Sequence, residues 1–345
     1  MALWLVRAGS HGEHEQKFLD DNRVYLTWDG VDNDLSKVKT FEGVKEILIE
    51  KFSDLSKNGI TNHASQIWAF ISKISPGDWI ALPSKSKPAV HIAEVKGGYT
   101  HHPSGPDPYY HYRKIKWIAL DIPRSNFEQD LLYSLGAFMT ICRIQRNDAE
   151  NRIKKMAKNR WKAQQFDSVE NNRTEPKDDI SDNQGAADLE QVSKDQIAKY
   201  ILAKFKGHGM ARLVNGILQA QGYTTYLSPE GPDKGIDLLA APGALGFGTP
   251  RICVQVKSSD TPIDRPTLDQ LIGTMQNVQA EQGLLVSWGG FKSSVNKEEA
   301  SQFFRVRLWD QEDLVDQLLL NYDNLDEELK AELPMKRIWT LAIPD

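Results

Sequence analysis

The chain has 345 residues, of which 40% are hydrophobic and 26% are charged, a composition typical of a soluble globular protein. This length predicts about two domains of ordinary size, and no stretch approaches the run of about 18 apolar residues that a membrane span requires. The formal net charge of −5 excludes a protein coated in positive potential, so any contact with DNA must come from local basic patches.

The N-terminus and the cysteines indicate the cellular compartment. The first apolar stretch is too short for a secretion signal and no basic segment precedes it, so the expected location is the cytoplasm. Cys142 and Cys253 are the only cysteines, and both lie within apolar runs. This pattern excludes a disulfide framework and a cysteine zinc site.

Residues 1–125 predict a compact, mainly β domain that carries a few helices. Apolar, aromatic and β-branched runs predict strands at 3–6, 24–28, 79–82, 90–95 and 112–119. Apolar residues at helical intervals predict helices at 13–20, 41–52 and 64–74.

Residues 126–165 predict a helical connector, with a helical hairpin at 127–162 that ends in a dense basic run. Its basic side chains are Arg143, Arg146, Arg152, Lys154, Lys155, Lys158, Arg160 and Lys162. The interspersed Asp148 and Glu150 leave two interpretations open, a solvated helix face or a surface that tracks phosphates. Residues 166–195 are polar and acidic, which predicts a flexible linker.

Residues 196–345 predict a second domain of mixed α/β architecture. Its predicted helices are 197–205, 210–221, 266–279 and 313–320, and its predicted strands are 224–227, 236–240, 252–257, 284–287 and 306–308. From the second helix onward the order α-β-β-β-α-β fits a mixed sheet with helices on both faces.

Three polar residues of this domain form a candidate catalytic set. Apolar and polar residues alternate along 252–257, so Gln255 and Lys257 project from the same face of a strand. Asp237 opens a neighbouring apolar segment, which allows two strands to bring the three side chains to one end of a sheet. A carboxylate and an amide oxygen suit Mg²⁺, and a lysine stabilises developing negative charge, which is what phosphodiester hydrolysis needs.

The motifs around this triad occur in a characteristic order. A helix is followed by G-Y at 222–223, G-P-D-K-G-I-D at 231–237 and Q-V-K at 255–257. Over about residues 198–322 this succession resembles the catalytic domain of the Mrr family, within the PD-(D/E)xK nuclease superfamily. The resemblance implies a PD-(D/E)xK nuclease core.

That resemblance also implies roles for the triad. Asp237 would be the metal carboxylate, Gln255 stands where many relatives carry Glu or Asp, and Lys257 would be the catalytic lysine. The implied cofactor is Mg²⁺ or Mn²⁺.

One position departs from the family pattern. Mrr-type domains usually carry a Glu on the first core helix, in a phrase like F-E-x-L-V, and the phrase here reads M-A-R-L-V with Ala211 at that place. No acidic residue lies between Asp195 and Glu230. Either another ligand comes from His208, Glu230 or Asp233, or the site works with one fully liganded metal, or the nuclease has lapsed.

The front part carries W-L-V-R-A-G at 4–9, G-D-W-I-A-L-P at 77–83 and I-A-E-V at 92–95. This succession resembles the PUA-like superfamily of small β-barrels, which includes EVE, YTH, ASCH and SRA domains. It implies a barrel that takes a modified or flipped base into a pocket. The candidate base-recognition residues are Trp28, Trp68, Tyr99, Arg7, Ser10 and His11.

Together these features predict a modification-dependent (type IV) DNA restriction endonuclease that acts in defence against foreign DNA. Its expected partner is modified double-stranded DNA, and cutting both strands requires a homodimer or a pairing of two molecules on DNA. A sensing protein with a lapsed nuclease site and an RNA-directed nuclease are the alternatives.

Overall fold

The computed structural model describes residues 1–137, 139–162, 188–231 and 235–339. The chain divides into two compact units, Met1–Asp195 and Gln196–Asp345. None of the helices in the described ranges combines the length and the apolar character that crossing a membrane would need.

The first unit contains six strands and five complete α-helices within its described residues, and a sixth α-helix begins there. The strands are β1 (Leu3–Val6), β2 (Arg23–Tyr25), β3 (Trp79–Pro83), β4 (Ala89–His101), β5 (His111–Pro123) and β6 (Ile141–Arg143). The helices are α1 (Glu15–Asp21), α2 (Phe41–Lys51), α3 (Lys57–Trp68), α4 (Gln129–Leu135), α5 (Ala149–Lys158) and α6 (Leu189–Lys204).

Side-chain caps fix where the longer helices of this unit begin. The Thr40 side chain accepts a hydrogen bond from the backbone N–H of Gly43 at the start of α2, and Ser56 accepts one from Gly59 at the start of α3. Such caps satisfy N–H groups that have no partner inside the helix. Helix α3 therefore begins at Lys57, one to two turns before the predicted start at residue 64.

The strands of the first unit form one sheet in the order β2-β5-β4-β3-β1-β6. Strand β1 pairs with β3 in parallel and with β6 in antiparallel register. All four residues of β1 are buried, with Trp4 and Val6 in one core and Leu3 and Leu5 in another. The sheet is thus covered on both faces, by α2 and α3 on one side and by α4 and α5 on the other.

The predicted connector at 126–165 belongs to this sheet. The chain between α4 and α5 is not a hairpin turn, because Ile141–Arg143 forms β6 and pairs with β1. The buried residues Leu131 and Ile153 pack in the same core as Leu3 and Leu5. The predicted helices are present, but the prediction that this segment is a helical connector was wrong. The segment adds a strand to the sheet of the first unit and packs in its core.

The predicted linker lies mostly outside the described residues, which resume at Asp188. Its last part differs from the prediction, since residues 189–195 are the first turns of α6. Asp195 is buried and its carboxylate receives two hydrogen bonds from the guanidinium of Arg124, at 2.7 and 2.5 Å. A charged residue can be buried when a partner compensates it, and this partner stands 71 positions earlier in the chain.

The second unit confirms the predicted mixed α/β fold. In its described residues the strands are β7 (Thr224–Leu227), β8 (Leu238–Ala241), β9 (Ile252–Lys257), β10 (Gln282–Ser287) and β11 (Val306–Trp309). Its helices after α6 are α7 (His208–Ala220), α8 (Arg265–Asn277), α9 (Ser293–Asn296), α10 (Glu299–Gln302), α11 (Gln311–Asn321) and α12 (Glu327–Glu332).

The five described strands are ordered β11-β10-β9-β8-β7. Strand β9 runs parallel to β10 and antiparallel to β8, so the end of β9 lies beside the end of β10 and the start of β8. Helices α7 and α11 pack on one face of the sheet and α8 packs on the other. Cys142 and Cys253 are both free.

Candidate functional site

The three residues of the predicted triad meet at one end of the second sheet. Lys257 is the last residue of β9, and Asp237 immediately precedes β8. The antiparallel register pairs Leu238 with Val254 and Leu239 with Cys253, and its continuation places Asp237 opposite Gln255. Topology therefore brings the triad together.

Asp237 is held on both sides by backbone hydrogen bonds. Its N–H donates to the carbonyl of Val254 at 3.1 Å, and its own carbonyl accepts from Ser228 N–H at 2.9 Å. Its side chain is fixed as well, since Oδ2 accepts a 2.8 Å hydrogen bond from the N–H of Val256. A carboxylate pinned in this way keeps its position without the ordering cost of a free side chain.

Gln255 is the unusual residue of the site. Only 1% of its surface is exposed, and its Oε1 is buried without a hydrogen-bond partner among the described residues. An unpaired buried amide oxygen costs about 1–3 kcal/mol, so a fold retains one where the group serves another purpose. A metal ligand is such a purpose, because a hard cation prefers oxygen donors.

Gly235 and Gln270 complete the surroundings of Gln255, and neither role was predicted from the sequence. Gly235 has a φ of +84°, and a Cβ placed on it would lie 3.3 Å from Nε2 of Gln270 and 3.4 Å from Nε2 of Gln255. Gln270 is an exposed residue of α8. The turn before Asp237 thus uses glycine for its backbone conformation and for the space that both amides occupy.

We predict that Gly235→Ala slows DNA cleavage by about 10- to 100-fold, because the methyl group displaces Gln255 from its place beside Asp237. The matched control is Gly222→Ala, since Gly222 has a φ of +91° and no atom within 4 Å of an added Cβ. Single-turnover cleavage rates compare the two variants. Equal rates for both would show that backbone strain alone is responsible.

The start of α7 adjoins the same sheet end. Gly207 N–H donates to Oγ of Ser258, the residue after Lys257, at 3.0 Å. His208 Nε2 donates to the carbonyl of Ser228 at 2.8 Å. Ala211, at the place of the family's usual glutamate, is buried in the core.

The three candidates for a further metal ligand, His208, Glu230 and Asp233, differ in their positions. His208 Nδ1 lies 3.8 Å from Oε1 of Glu230, whose side chain is largely exposed. Asp233 lies outside the described residues. Within the described part of the chain, no three His, Cys, Asp or Glu side chains form a group that could hold a metal ion.

The donor set at the sheet end nevertheless fits a magnesium-type ion. Asp237 offers a fixed carboxylate and Gln255 offers an unpartnered amide oxygen. Mg²⁺ is commonly held by one or two carboxylates together with waters and substrate phosphates, without a closed protein cage. Lys257 ends the same strand and has no carboxylate within ion-pair distance among the described residues.

Comparison with protein families assigns the region that contains this site. Residues 202–318 match the Mrr_cat family, which is described as a restriction endonuclease. The second unit carries an Mrr-type restriction endonuclease domain. The predicted resemblance to Mrr catalytic domains is confirmed, and the Mrr-type domain is by its family a nuclease domain.

The front of the chain matches a different family. Residues 4–143 match a domain of unknown function, DUF8426. That match includes β6, in agreement with its pairing to β1 in the first sheet. The unit is strand-rich as predicted, and the PUA-like resemblance stays a prediction.

The solved structures to which this chain is similar include two restriction enzymes. The DNA modification-dependent restriction endonuclease AspBHI is 13% identical with a TM-score of 0.33, covering 81% of this chain and 74% of its own. The MspJI restriction endonuclease in complex with a 27-mer oligonucleotide is 14% identical with a TM-score of 0.32, and the match covers 97% of this chain and 80% of the MspJI chain. The protein of unknown function AF1548 is 16% identical with a TM-score of 0.25, and the match covers 38% of this chain and 76% of the AF1548 chain. No curated protein matches the chain.

The aromatic candidates of the first unit are half-buried at the edge of its larger core. Trp28, Trp68 and Tyr99 all pack against that core. The indole Nε1 of Trp28 donates to Nδ1 of His63 at 3.1 Å. This bond leaves the proton of the neutral imidazole on Nε2, and burial lowers the pKa of His63, which favours that neutral form. His63 is a polar group beside Trp28 that the sequence did not single out.

The polar candidates of the first unit are dispersed. Arg7 donates from Nη2 to the carbonyl of Ala137 at 2.9 Å, and burial lowers its pKa. Ser10 and His11 are both exposed and hydrogen-bond each other at 3.1 Å. Arg7 is thus engaged by the protein itself, whereas Ser10 and His11 remain accessible.

Tyr99 is coupled to a buried histidine. His111 Nε2 donates to the carbonyl of Val31 at 2.7 Å, so its Nδ1 accepts the hydroxyl proton of Tyr99, also at 2.7 Å. The ring of His101 stacks on His111 with centroids 5.2 Å apart. Both nitrogens of His111 are therefore used by the protein.

We predict that His111 makes the first unit less stable in acid. Burial lowers the pKa of His111 to about 4, against about 6.5 in an unfolded chain. Between these values the unfolded state binds more protons, so stability falls as pH decreases from 6.5 to 4, by about 3 kcal/mol in all. Urea unfolding of wild type and His111→Gln across this range isolates the effect, since the pKa of His63 is also lowered and contributes equally to both. Parallel pH profiles would contradict the prediction.

Proposed function

We propose that this protein is a modification-dependent DNA restriction endonuclease of the type IV kind. In this proposal the first unit reads a modified base and the Mrr-type domain hydrolyses the phosphodiester with Mg²⁺ or Mn²⁺. The observation that carries the proposal is the buried, unpartnered Oε1 of Gln255, opposite the fixed carboxylate of Asp237 and on the strand that ends at Lys257.

The residues of the site divide the chemistry among them. A divalent cation held by Asp237 and Gln255 would polarise the scissile phosphate and lower the pKa of the attacking water. Lys257 places an ammonium at the same sheet end, where it stabilises the negative charge that develops on the phosphate. The N–H of Val256 keeps the Asp237 carboxylate oriented.

Base reading by the first unit is supported by its half-buried aromatic residues. A base that has left the stack needs an aromatic plane and a few polar groups at its edge. Trp28 provides such a plane, and His63 beside it has no hydrogen-bond partner for Nε2–H among the described residues. Trp68 and Tyr99 remain the other candidate planes, with Ser10 and His11 as edge readers.

Assembly and location follow from the activity. One Mrr-type domain has one active site, so cutting both strands of a duplex requires a homodimer or two molecules that pair on the DNA. We propose the cytoplasm as the place of action, since restriction is directed against DNA that has entered the cell.

Cleavage of matched substrates tests the proposal. Purified protein is incubated with Mg²⁺ and with two duplexes that differ only in modified cytosines or adenines, beside a structured RNA. Preferential cutting of one modified duplex supports the proposal. Equal cutting of modified and plain duplexes would contradict base sensing, and cutting of RNA alone would favour the RNA-directed alternative.

A lapsed nuclease remains the second candidate, because Ala211 removes the carboxylate that Mrr-type domains usually carry on this helix. A lapsed enzyme would bind the modified duplex selectively and leave both strands intact with Mg²⁺ or Mn²⁺. The same assay, followed by a binding titration, separates the two outcomes.

We predict that Gln255→Glu strengthens metal binding by about tenfold, because an added carboxylate raises the charge of the ligand set. Without metal the variant should melt below wild type, since a buried glutamate opposite Asp237 adds repulsion. Thermal melting with and without Mg²⁺ measures both effects. Gln276→Glu is the control, because Gln276 is an exposed residue of α8 that has no contact with Gln255. A folded Gln255→Glu protein without a metal-dependent shift would exclude Gln255 as a ligand.

A further inference from the structure

Helix α5 presents a basic surface whose lysines have no ion-pair partner within the described residues. Its buried residues Ala149, Ile153 and Met156 face the core of the first unit. At about 100° per residue, Lys154, Lys155 and Lys158 lie together on the opposite side of the helix. We call these three lysines the basic face of α5.

The carboxylates around α5 already have other partners. Glu128 and Asp130 receive hydrogen bonds from Arg152, and Glu150 receives one from Arg143. Asp148 accepts from the side chain of Asn151 at 2.7 Å. None of these four acidic groups lies within ion-pair distance of the basic face.

Lysines elsewhere in the first unit differ in this respect. Several pair with a carboxylate within 4 Å, among them Lys17, Lys37, Lys45, Lys51, Lys85, Lys87 and Lys96. Within the described residues, the three lysines of the basic face have no such partner. Arg146, Arg160 and Lys162 flank α5, are exposed, and also have none there.

We propose that the basic face of α5 binds the phosphate backbone of duplex DNA. The chain carries a net charge of −5, so this concentration of cations is local and does not reflect an overall excess. Lysines contact phosphates without reading sequence, and they position the protein for base readout elsewhere. The inference rests on the proposed function and names the surface that contacts the DNA backbone.

Helix stabilisation is the competing explanation, because cations near a helix C-terminus interact favourably with its dipole. That explanation predicts a lower melting temperature on substitution and no change in DNA binding. Phosphate binding predicts the opposite, namely that substitution changes DNA binding and leaves the melting temperature nearly unchanged. Each phosphate contact releases counterions, so each contact makes the affinity depend more steeply on salt.

The test compares two triple variants of the full chain on a plain 30-base-pair duplex, without divalent cations. Lys154→Gln/Lys155→Gln/Lys158→Gln removes the basic face. Lys45→Gln/Lys51→Gln/Lys87→Gln removes the same charge from lysines that pair with Glu42, Asp32 and Asp121. Binding constants are measured from about 50 to 200 mM salt, and thermal melting checks that each variant folds.

If the three lysines each contact a phosphate, the slope of log K against log salt decreases in magnitude by about 2.7 in the α5 variant. Wild type then loses about 40-fold more affinity than this variant over the fourfold rise in salt. The paired-lysine variant should keep the wild-type slope. An unchanged slope in the α5 variant, or equal losses in both variants, would overturn the proposal.

The outcomes also separate this inference from the proposed function. If wild type binds and cuts modified DNA but the α5 variant keeps the wild-type slope of log K against log salt, phosphate binding by the basic face is refuted. The proposed function is then unaffected. Wild type that binds no duplex refutes both. A slope that changes on structured RNA but not on DNA would assign the surface to RNA and refute the inference.

Discussion

Asp237→Ala and Lys257→Ala are each expected to reduce DNA cleavage by at least about 10²- to 10³-fold. The first substitution removes the only fixed carboxylate among the described residues at this sheet end, and the second removes the ammonium that stabilises charge on the phosphate. Neither side chain packs in a core cluster, so both variants should fold. Cleavage of the preferred duplex under single-turnover conditions measures the loss.

Binding data make this prediction specific to catalysis. The affinity of both variants for the same duplex without divalent cations should stay within about threefold of wild type, a difference of less than 1 kcal/mol. Asp269→Ala and Lys297→Ala serve as controls, because these exposed residues of the same unit lie outside the triad. Turnover that survives either triad substitution would remove the residue from the mechanism.

The meeting of Asp237, Gln255 and Lys257 at one sheet end was predictable because its signals are local. Alternation along 252–257 fixed which face carries Gln255 and Lys257, and the apolar segment after Asp237 indicated the neighbouring strand. The antiparallel register of β8 and β9 then brings these ends together. Strand order itself required the resemblance to a known family, since periodicity does not specify which strands pair.

Other parts of the site could not be predicted, for a physical reason. Gln270 reads as an ordinary exposed residue of an amphipathic helix, and its place beside Gln255 depends on the packing of α8 against the sheet. His63 likewise reads as a polar residue of α3, and only the fold brings it to Trp28, 35 positions away. Contacts between distant segments leave no periodic pattern in the sequence.

The fold of the first unit shows the same limit. Strand β6 has three residues, too few for a period of two to be visible, and it is defined by pairing with β1. Residues 189–195 looked like linker because their composition is polar. Their helix is held at Asp195 by Arg124, so a long-range ion pair decides the structure where local composition pointed elsewhere.

Asp195→Ala is therefore expected to destabilise the first unit by about 3–5 kcal/mol, because it leaves the Arg124 guanidinium buried without its partner. Both side chains are almost fully buried and the pair is bidentate. Arg143→Ala is the matched control, since Arg143 pairs with Glu150 near the surface and should cost no more than about 1 kcal/mol.

Hydrogen exchange resolved by segment is the suitable measurement, because a chain of two units does not unfold in a single step. In Asp195→Ala, peptides from α4 and β4 should lose protection while peptides from β9 keep theirs. The double variant Arg124→Met/Asp195→Leu should recover much of the loss, since apolar residues of similar volume often replace a buried ion pair without a large cost. Protection in Asp195→Ala equal to that in Arg143→Ala would mean that the ion pair does not hold the first turns of α6 in place, and that the polar composition of residues 189–195 was the better guide to their behaviour.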